Sequence, residues 1–536
     1  MPSPSPTPLP RLERRGTSAR LIVDERPLLI RGGELGNSAA HRAYLAGRWE
    51  ELERLGLNAV VAPAYWELVE PTEGAFDWST VDELIEDAAA HGMRVVLLWF
   101  GTWKNSMSCY APEWVKTDTA RFPRGRDAQG RPLEILTPFG DESRDADARA
   151  FAALMAHLRE HDTDRTVVMV QVENEIGMIR EAREHSDLAE RAFASAVPDA
   201  LLARLAEEPA SLQPSLRARW EAAGARTAGT WTEVFGAGAE TDEIFMAWAY
   251  ARYVEGVAAA GRVELDLPLY ANAALIRPGS APGQYPSAGP LPHLSDVWRA
   301  GAPSLDFLAP DIYFPNFAEW ATRYVDSGHP LFVPEALRSI DAAANALYAF
   351  GAHGAIGFSA FGIEQIDDRA GELLSASYDA IRQLSPLISE HVGGASMIGL
   401  LPPEGGHRPP HRVRLGDLEL SATYEHEVSP GLADGVINEA DDRAADRARL
   451  PAAAIVIRTG DDEFVIAGIG VTITFAGADP SPDVIGILRC DEGGFDDAGD
   501  WRTRRRLNGD ETHQGRHVRL VPGAVTIQRV ALYRYR

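Results

Sequence analysis

The chain has 536 residues, 45% hydrophobic and 24% charged, an ordinary globular composition with room for one large domain and one or two smaller ones. A net charge of −26 argues against nucleic acid, anionic membrane surfaces and polyanionic substrates as partners. The two cysteines, Cys109 and Cys490, lie far apart and make no disulfide framework, and no Cys/His cluster has zinc spacing, so no metal or other cofactor is expected. Apolar runs stay short of the roughly 18 residues that a membrane span needs. The Ser/Pro-rich start, Met1 to Pro10, lacks the apolar centre of a signal peptide, so a cytoplasmic protein is the expectation.

Residues 1–17 read as disordered. From residue 18 to 392, apolar runs alternate with helical patterns. A first strand, Leu28 to Glu34, ends near Gly32-Gly33, and a helical pattern follows from about Ala39 to Leu55. A second strand covers 59–62. Ser79 is placed as a helix N-cap, with a stop at His91-Gly92. The third strand is Arg94 to Phe100, followed by a polar loop over 101–142 and a helix near 145–160. The fourth is the Val-rich run from Val167 to Glu175. Residues 181–262 are Ala/Glu/Arg-rich, and longer than one crossover requires, so they read as a helical insertion plus the next barrel helix. Further strands are expected at Leu269 to Asn272, Leu305 to Tyr313, Leu331 to Glu335 and Gly354 to Phe361, then a helix from Ser375 to Leu387. Eight strands alternating with helices predict a (β/α)8 TIM barrel of the α/β class. A doubly wound sheet fits less well, since no G-x-G-x-x-G follows the first strand. After Gly393-Gly394 helical periodicity stops and short β-rich runs take over, which predicts a C-terminal all-β sandwich over 393–536, with a polar loop at 426–450.

In a parallel barrel, chemistry sits at the carboxyl ends of the strands. Strand four ends in Asn174-Glu175 and strand seven in Pro334-Glu335, so both glutamates can face the mouth. A carboxylic acid in an apolar mouth is poorly solvated and keeps its proton more tightly, which suits a general acid. Two such groups can cut a glycosidic bond, with retention at a separation of about 5–5.5 Å or with inversion at about 6.5–9.5 Å. The spacing of residues along the chain does not choose between these.

The stretch Gln171-Val172-Glu173-Asn174-Glu175-Ile176-Gly177 resembles the Q-x-E-N-E-[YF]-G of family 35 β-galactosidases, within clan A of the glycoside hydrolases. Trp66 to Trp78 is similar to that family's W-x-x-x-E-P-x-x-G-x-[FY]-[DN]-[FW], and a like segment occurs in family 42. The tail, with Leu507 to Thr512 and Gly515-Arg516-His517, resembles the C-terminal domain of a bacterial family 35 subgroup. The resemblance implies that Glu175 is the acid/base and Glu335 the nucleophile of a retaining double displacement, with Asn174 bonded to the sugar 2-hydroxyl. It also implies that Tyr313 donates its hydroxyl to Glu335 and favours the ionised carboxylate.

Sugar-binding candidates at strand ends are Glu34, Tyr65, Trp66, Trp103, Asn105, Asn272 and Phe361, offering hydrogen-bonding groups and aromatic faces. Glu70 is expected to hold the strand-two loop. Glu173, two residues before Glu175, is expected to share its face by alternation and to support the site. The sequence departs from family 35 after strand three, where Trp99 to Ser106 replaces a G-P-Y-x-x-x-E-W motif and offers no matching glutamate. Val69 likewise stands where a histidine is usual. Lys104, in the departing segment, suits a different hydroxyl pattern or an acidic group.

The reading that follows is an exo-acting retaining glycosidase taking an oligosaccharide or glycoside, foremost a β-galactoside. Other glycones stay open (α-L-arabinopyranoside, β-xyloside, β-galactofuranoside, β-glucoside), as do transglycosylation, an inactive carbohydrate-binding barrel and a homo-oligomeric state.

Overall fold

The structure, a computed structural model, describes residues 7–403, 410–424, 450–479 and 483–536. Its centre is a parallel barrel of eight strands: β1 (Ile30–Glu34), β2 (Ala59–Tyr65), β3 (Arg94–Lys104), β4 (Val167–Asn174), β5 (Leu269–Ala274), β6 (Phe307–Asp311), β7 (Phe332–Val333) and β8 (Gly357–Phe361). The hydrogen-bonded order β6-β5-β4-β3-β2-β1-β8-β7 follows the chain around the ring. Closure comes from one parallel bridge just past the ends of β6 and β7, between Ile312 and Ala336. There the Ile312 N–H donates to the Glu335 carbonyl at 2.8 Å. Every residue of β2 and β4 is buried, because barrel-filling side chains cover one face and helices the other.

Helix Asp141–His161 packs against helix Ala239–Glu264, which carries the chain from β4 to β5. The insertion ahead of it consists of short helices, Asp187–Ala194, Asp199–Glu207, Pro214–Ala222 and Trp231–Phe235. The N-terminus differs from expectation. Residues Arg11–Arg15 form a strand paired antiparallel with Ser18–Val23, which pairs in turn with Arg26–Leu28. The disorder expected over residues 1–17 thus does not hold for 11–15, because alternate apolar residues of this sheet pack into the barrel core. Ala19, Leu21 and Val23 join the main core, and Ser18 Oγ donates to the His353 carbonyl at 2.9 Å.

After helix Asp368–His391 the chain builds two antiparallel sheets. One has six strands: Met397–Leu400, Ala453–Arg458, Glu463–Ile469, Thr526–Tyr535, Val484–Phe495 and Trp501–Leu507, in that order. The other has four: His411–Leu415, Leu418–Tyr424, Val471–Gly477 and Val518–Leu520. A second core between them holds Leu400, Leu420, Val456, Ile466, Ile473 and Val530. Apart from Leu450, the polar loop expected at 426–450 lies outside the described residues.

The sandwich sits against barrel helix Asp341–His353 through a close backbone approach. A Cβ on Gly399 would stand 2.5 Å from the Ala352 nitrogen and 2.8 Å from the Tyr348 carbonyl, and Gly351 faces the Gly399 Cα on the other side. Neither backbone can yield cheaply, so Gly399→Val is expected to lower unfolding stability by about 1–3 kcal/mol, the usual range for overpacking. Denaturant unfolding followed by circular dichroism measures this, and a midpoint equal to wild type would contradict the tight seat.

Candidate active site

The carboxyl ends of the strands bring Glu175, Asp311 and Glu335 together at the mouth of the barrel, with Glu34 and Lys104 within electrostatic reach of them. One carboxylate oxygen each from Glu175, Asp311 and Glu335 lies within 4.8 Å of the others. Below them, Tyr270, Phe307 and Phe332 pack ring against ring at centroid distances of 5.2–6.4 Å and form an apolar floor. Glu175 is 9% exposed and Glu335 3%.

Local backbone explains how Glu175 reaches the cavity. Glu173 and Glu175 both take left-handed conformations, at φ 63° and 47°, which non-glycine residues adopt only when their surroundings hold them. The holding groups are present. Asn272 Oδ1 accepts the Glu175 N–H at 3.0 Å, while its Nδ2 donates to Asp311 Oδ2 at 2.7 Å and to Asn174 Oδ1 at 3.1 Å. Gln171 Nε2 donates to the Glu173 carbonyl at 3.0 Å and to Asn174 Oδ1 at 2.8 Å.

The same irregularity sends Glu173 away from Glu175, so alternation fails here. The Glu173 carboxyl turns to β3, where it accepts the Trp103 N–H at 2.7 Å and the Thr102 N–H at 3.3 Å. Its neighbour there is Asp147, on helix Asp141–His161, which accepts from Trp99 Nε1 and from both the N–H and the hydroxyl of Thr102. Burial, then the charge of Asp147, raises the Glu173 pKa well above the carboxylate range. The pair therefore anchors the end of β3 rather than lining the cavity. That end presents Lys104 and Asn105. Lys104 Nζ donates to Asn105 Oδ1 at 2.7 Å, which also accepts from Asn174 Nδ2 at 3.3 Å.

On strand seven, Tyr313 Oη donates to Glu335 Oε2 at 2.5 Å. Burial, then the charge of Glu335, raises the Tyr313 pKa, so the phenol stays a donor. Among the described residues, Glu335 Oε1 is buried without a hydrogen-bond partner, as are both oxygens of Glu34 and Oδ1 of Asp311. Unpaired buried acceptors are costly and rare, and four around one cavity are the mark of a polar ligand's place. The triad Glu175, Asp311 and Glu335 is also close enough to hold a cation. The donors already aimed at it, from Asn272 and Tyr313, and the nearby Lys104 ammonium supply compensation without one.

The carboxyl groups differ in their hold on protons. Burial first, and then the charge of Glu335, pushes Glu175 up to about 7, while Lys104 and a hydrogen bond with Asp311 pull the other way. Burial and the neighbouring carboxylates also raise Glu34 and Asp311. Burial alone would lower Lys104, but Glu335, Glu175, Glu34 and Asp311 together outweigh it and hold the ammonium above the usual lysine range.

Among the residues predicted from sequence, Glu34, Asn105, Asn174, Glu175, Asn272, Tyr313 and Glu335 gather at or behind this cavity. Phe361 pairs with Glu34 across β8 and β1 and sets its ring edge-on to Tyr313 at 6.4 Å. Two tryptophans go elsewhere. Trp66 is fully buried between Trp99 and Trp114, with its Nε1 on Glu70 at 2.9 Å. Trp103 is wedged between β3 and the crossover helix, 4.4 Å from the Tyr253 ring and 5.6 Å from Tyr250. Neither offers a face to a sugar, because a strand-end tryptophan fits the space between strand and helix as readily as the mouth. Tyr65 is likewise packed, among His41, Phe100 and Tyr110. Glu70 holds its loop as expected, accepting the Gly74 N–H at 2.7 Å. Asp311 was not singled out; the signal was an acidic residue ending an otherwise apolar strand.

A family model described as Beta-galactosidase, that of glycoside hydrolase family 42, matches residues 40–204. A second, described as a Domain of unknown function (DUF5597), matches residues 374–519. The family 35 expectation is thereby corrected: the barrel match is to family 42. The Trp66–Trp78 segment, common to both families, lies inside it. A Beta-galactosidase of Xanthomonas manihotis is 28% identical over 204 residues, 35% of this chain and 30% of that protein. The solved β-galactosidase of Marinomonas ef1 aligns at 14% identity and TM-score 0.46, covering 67% of this chain and 60% of that one. That of Halorubrum lacusprofundi aligns at 19% identity and TM-score 0.44, covering 66% and 58%. This chain thus spans less than two thirds of the length of these relatives.

Because Glu335 is the second cause of the raised Glu175 pKa, Glu335→Gln is expected to bring Glu175 titration below about 7. It should stay above the ordinary carboxylate range, since burial persists. Carbon-13 NMR of side-chain-labelled glutamate reads this directly; an unmoved titration would break the proposed coupling.

Proposed function

We propose that the protein is a retaining exo-glycosidase acting on β-galactosides, with Glu335 as nucleophile and Glu175 as acid/base. The observation that carries the reading is the pair of carboxyl groups just past the ends of β4 and β7, with an oxygen of each within 4.8 Å of the other. That spacing favours retention, which needs about 5–5.5 Å, over inversion, which needs room for a water at about 6.5–9.5 Å. The choice of β-galactosides is supported by the family model and by the names of the matched relatives.

Tyr313 occupies one oxygen of Glu335 and leaves Oε1 free to attack the anomeric carbon. As the C–O bond to the leaving group breaks, Glu175 gives its proton to the departing oxygen. The product of this step is a glycosyl ester of Glu335 and a free alcohol. Once esterified, Glu335 carries no charge, so one cause of the raised Glu175 pKa disappears. Glu175 then takes a proton from water as the water attacks the ester, and both groups return to their starting states. Asn174, whose Oδ1 is already engaged by Gln171 and Asn272, presents Nδ2 to the sugar 2-hydroxyl.

With nitrophenyl glycosides, Glu335→Gln is expected to lower turnover at least about 1000-fold, the scale of losing a nucleophile. Wild-type-like turnover would remove that assignment. Glu175→Ala should spare activated aryl leaving groups far more than alkyl ones, because only the latter need a proton. For alkyl glycosides kcat/KM should fall as pH rises through about 7, where Glu175 loses the proton it must donate. Proton NMR of the first-formed sugar should show the β-anomer; initial release of the α-anomer would mean inversion.

A further inference from the structure

We propose that Lys104 is a specificity residue that donates hydrogen bonds to ring hydroxyls of a neutral glycone, with Glu34 as the matching acceptor. The inference rests on the glycosidase reading above and adds a substrate class and a residue to it. Lys104 ends β3 and Glu34 ends β1, so both stand on the arc β3-β2-β1-β8 that joins the two catalytic strands on one side of the ring. Asn272, Asp311 and Tyr313 occupy the other arc, on β5, β6 and the residues just after.

Three observations point to a ligand. Lys104 is only 4% exposed, yet among the described residues it forms no ion pair and its Nζ has one hydrogen bond, to Asn105 Oδ1. An ammonium has three donors, and beyond that bond Nζ lies 5.2 Å from the centroid of the Phe100 ring, whose face attracts the charge without replacing an oxygen acceptor. Glu34 is fully buried with both oxygens unpartnered. The two groups lie within electrostatic reach of one another, and each acts on the other's proton affinity. A buried ammonium with few oxygen acceptors, near a buried carboxyl whose oxygens have no partner among the described residues, matches a sugar hydroxyl, which accepts from one partner and donates to another.

Charge decides the class of glycone. Lys104 is a cation acting on Glu34, Glu175 and Asp311, and Glu335 is the strongest charge acting on it. One ammonium faces four carboxyl groups, and burial already makes Glu34, Glu175 and Asp311 hold their protons more tightly than free carboxyls do. A glycone bearing its own carboxylate would add an uncompensated charge in a poorly hydrated space, which is expensive. The acidic-sugar alternative is therefore disfavoured, although the lysine by itself would suit it.

The test compares kcat/KM for an aryl β-galactoside, its singly deoxygenated forms and the corresponding aryl galacturonide, using the full chain and Lys104→Met. The 2-deoxy form serves as control, since that hydroxyl is given to Asn174. In wild type, removing the hydroxyl held by Lys104 should cost about 10- to 100-fold, the range for a hydrogen bond to a charged group. In Lys104→Met the parent substrate should lose a similar factor, and that one deoxy substrate should suffer little further loss. Equal further losses on every deoxy substrate would overturn the assignment while leaving the glycosidase reading intact. Faster turnover of the galacturonide than of the galactoside would overturn the neutral-glycone class. Should Lys104→Met fail to fold, Lys104→Gln keeps a donor without the charge, and the same pattern is expected at smaller amplitude; its absence overturns the proposal. If wild type hydrolyses no aryl glycoside, the glycosidase reading fails by itself. Calorimetric titration with galactose and its deoxy forms then tests Lys104, and a lack of selectivity among them ends the inference.

Discussion

Everything at the mouth of this barrel depends on the cost of charge in a poorly hydrated space. Four carboxyl groups and one ammonium share a cavity over an aromatic floor, and they cannot all ionise. Protons are therefore distributed by geometry. Tyr313 reserves a donor for one oxygen of Glu335, and Asn272 divides its amide between Asp311 and Asn174. Glu175, buried and facing a neighbouring carboxylate, is left holding a proton near neutrality. Two residues of one chemical type thus acquire different duties from their surroundings alone.

That distribution requires Glu175 to be placed well, and the placement uses unusual backbone. The left-handed turns at Glu173 and Glu175 would relax if nothing opposed them. On one side the Asn272 side chain captures the Glu175 amide. On the other, Glu173 ties itself to the backbone of Thr102 and Trp103, and Asp147 on the adjoining helix fastens Trp99 and Thr102. A helix behind the barrel wall thereby fixes the ends of β3 and β4 in one assembly. Trp103, packed against Tyr253 and Tyr250, belongs to the same brace.

The order and type of the barrel strands were legible in the sequence because each is an apolar run of ordinary length between turn signals. The ends of β4 and β7 were legible for a further reason: an acidic residue directly after a buried strand has few places to go. Side-chain direction at strand ends was not. Trp66 and Trp103 satisfy the sequence criterion for a sugar platform equally well when facing the helices, and composition does not distinguish the faces. Alternation misplaced Glu173, since period two holds only while the backbone stays extended. Asp311 was hidden by its neighbour Tyr313, and its importance appears only when Asn272 and Glu175 are seen beside it. Residues 11–15 looked unstructured because their partner strand and the barrel floor are contributions from elsewhere in the chain.

The seam between β6 and β7 has a consequence for how the mouth can adapt. Strand β7 is two residues long, and it is stitched to β6 by the Ile312–Ala336 bridge, immediately beside Glu335. The ring is in effect a rolled sheet whose hem is narrowest beside Glu335. Sliding along that hem would move Glu335 and Tyr313 past one another, since they flank it on either side. The Tyr313 hydroxyl and the Ile312 amide, both donating to Glu335 across the seam, are thus the bonds that oppose such shear.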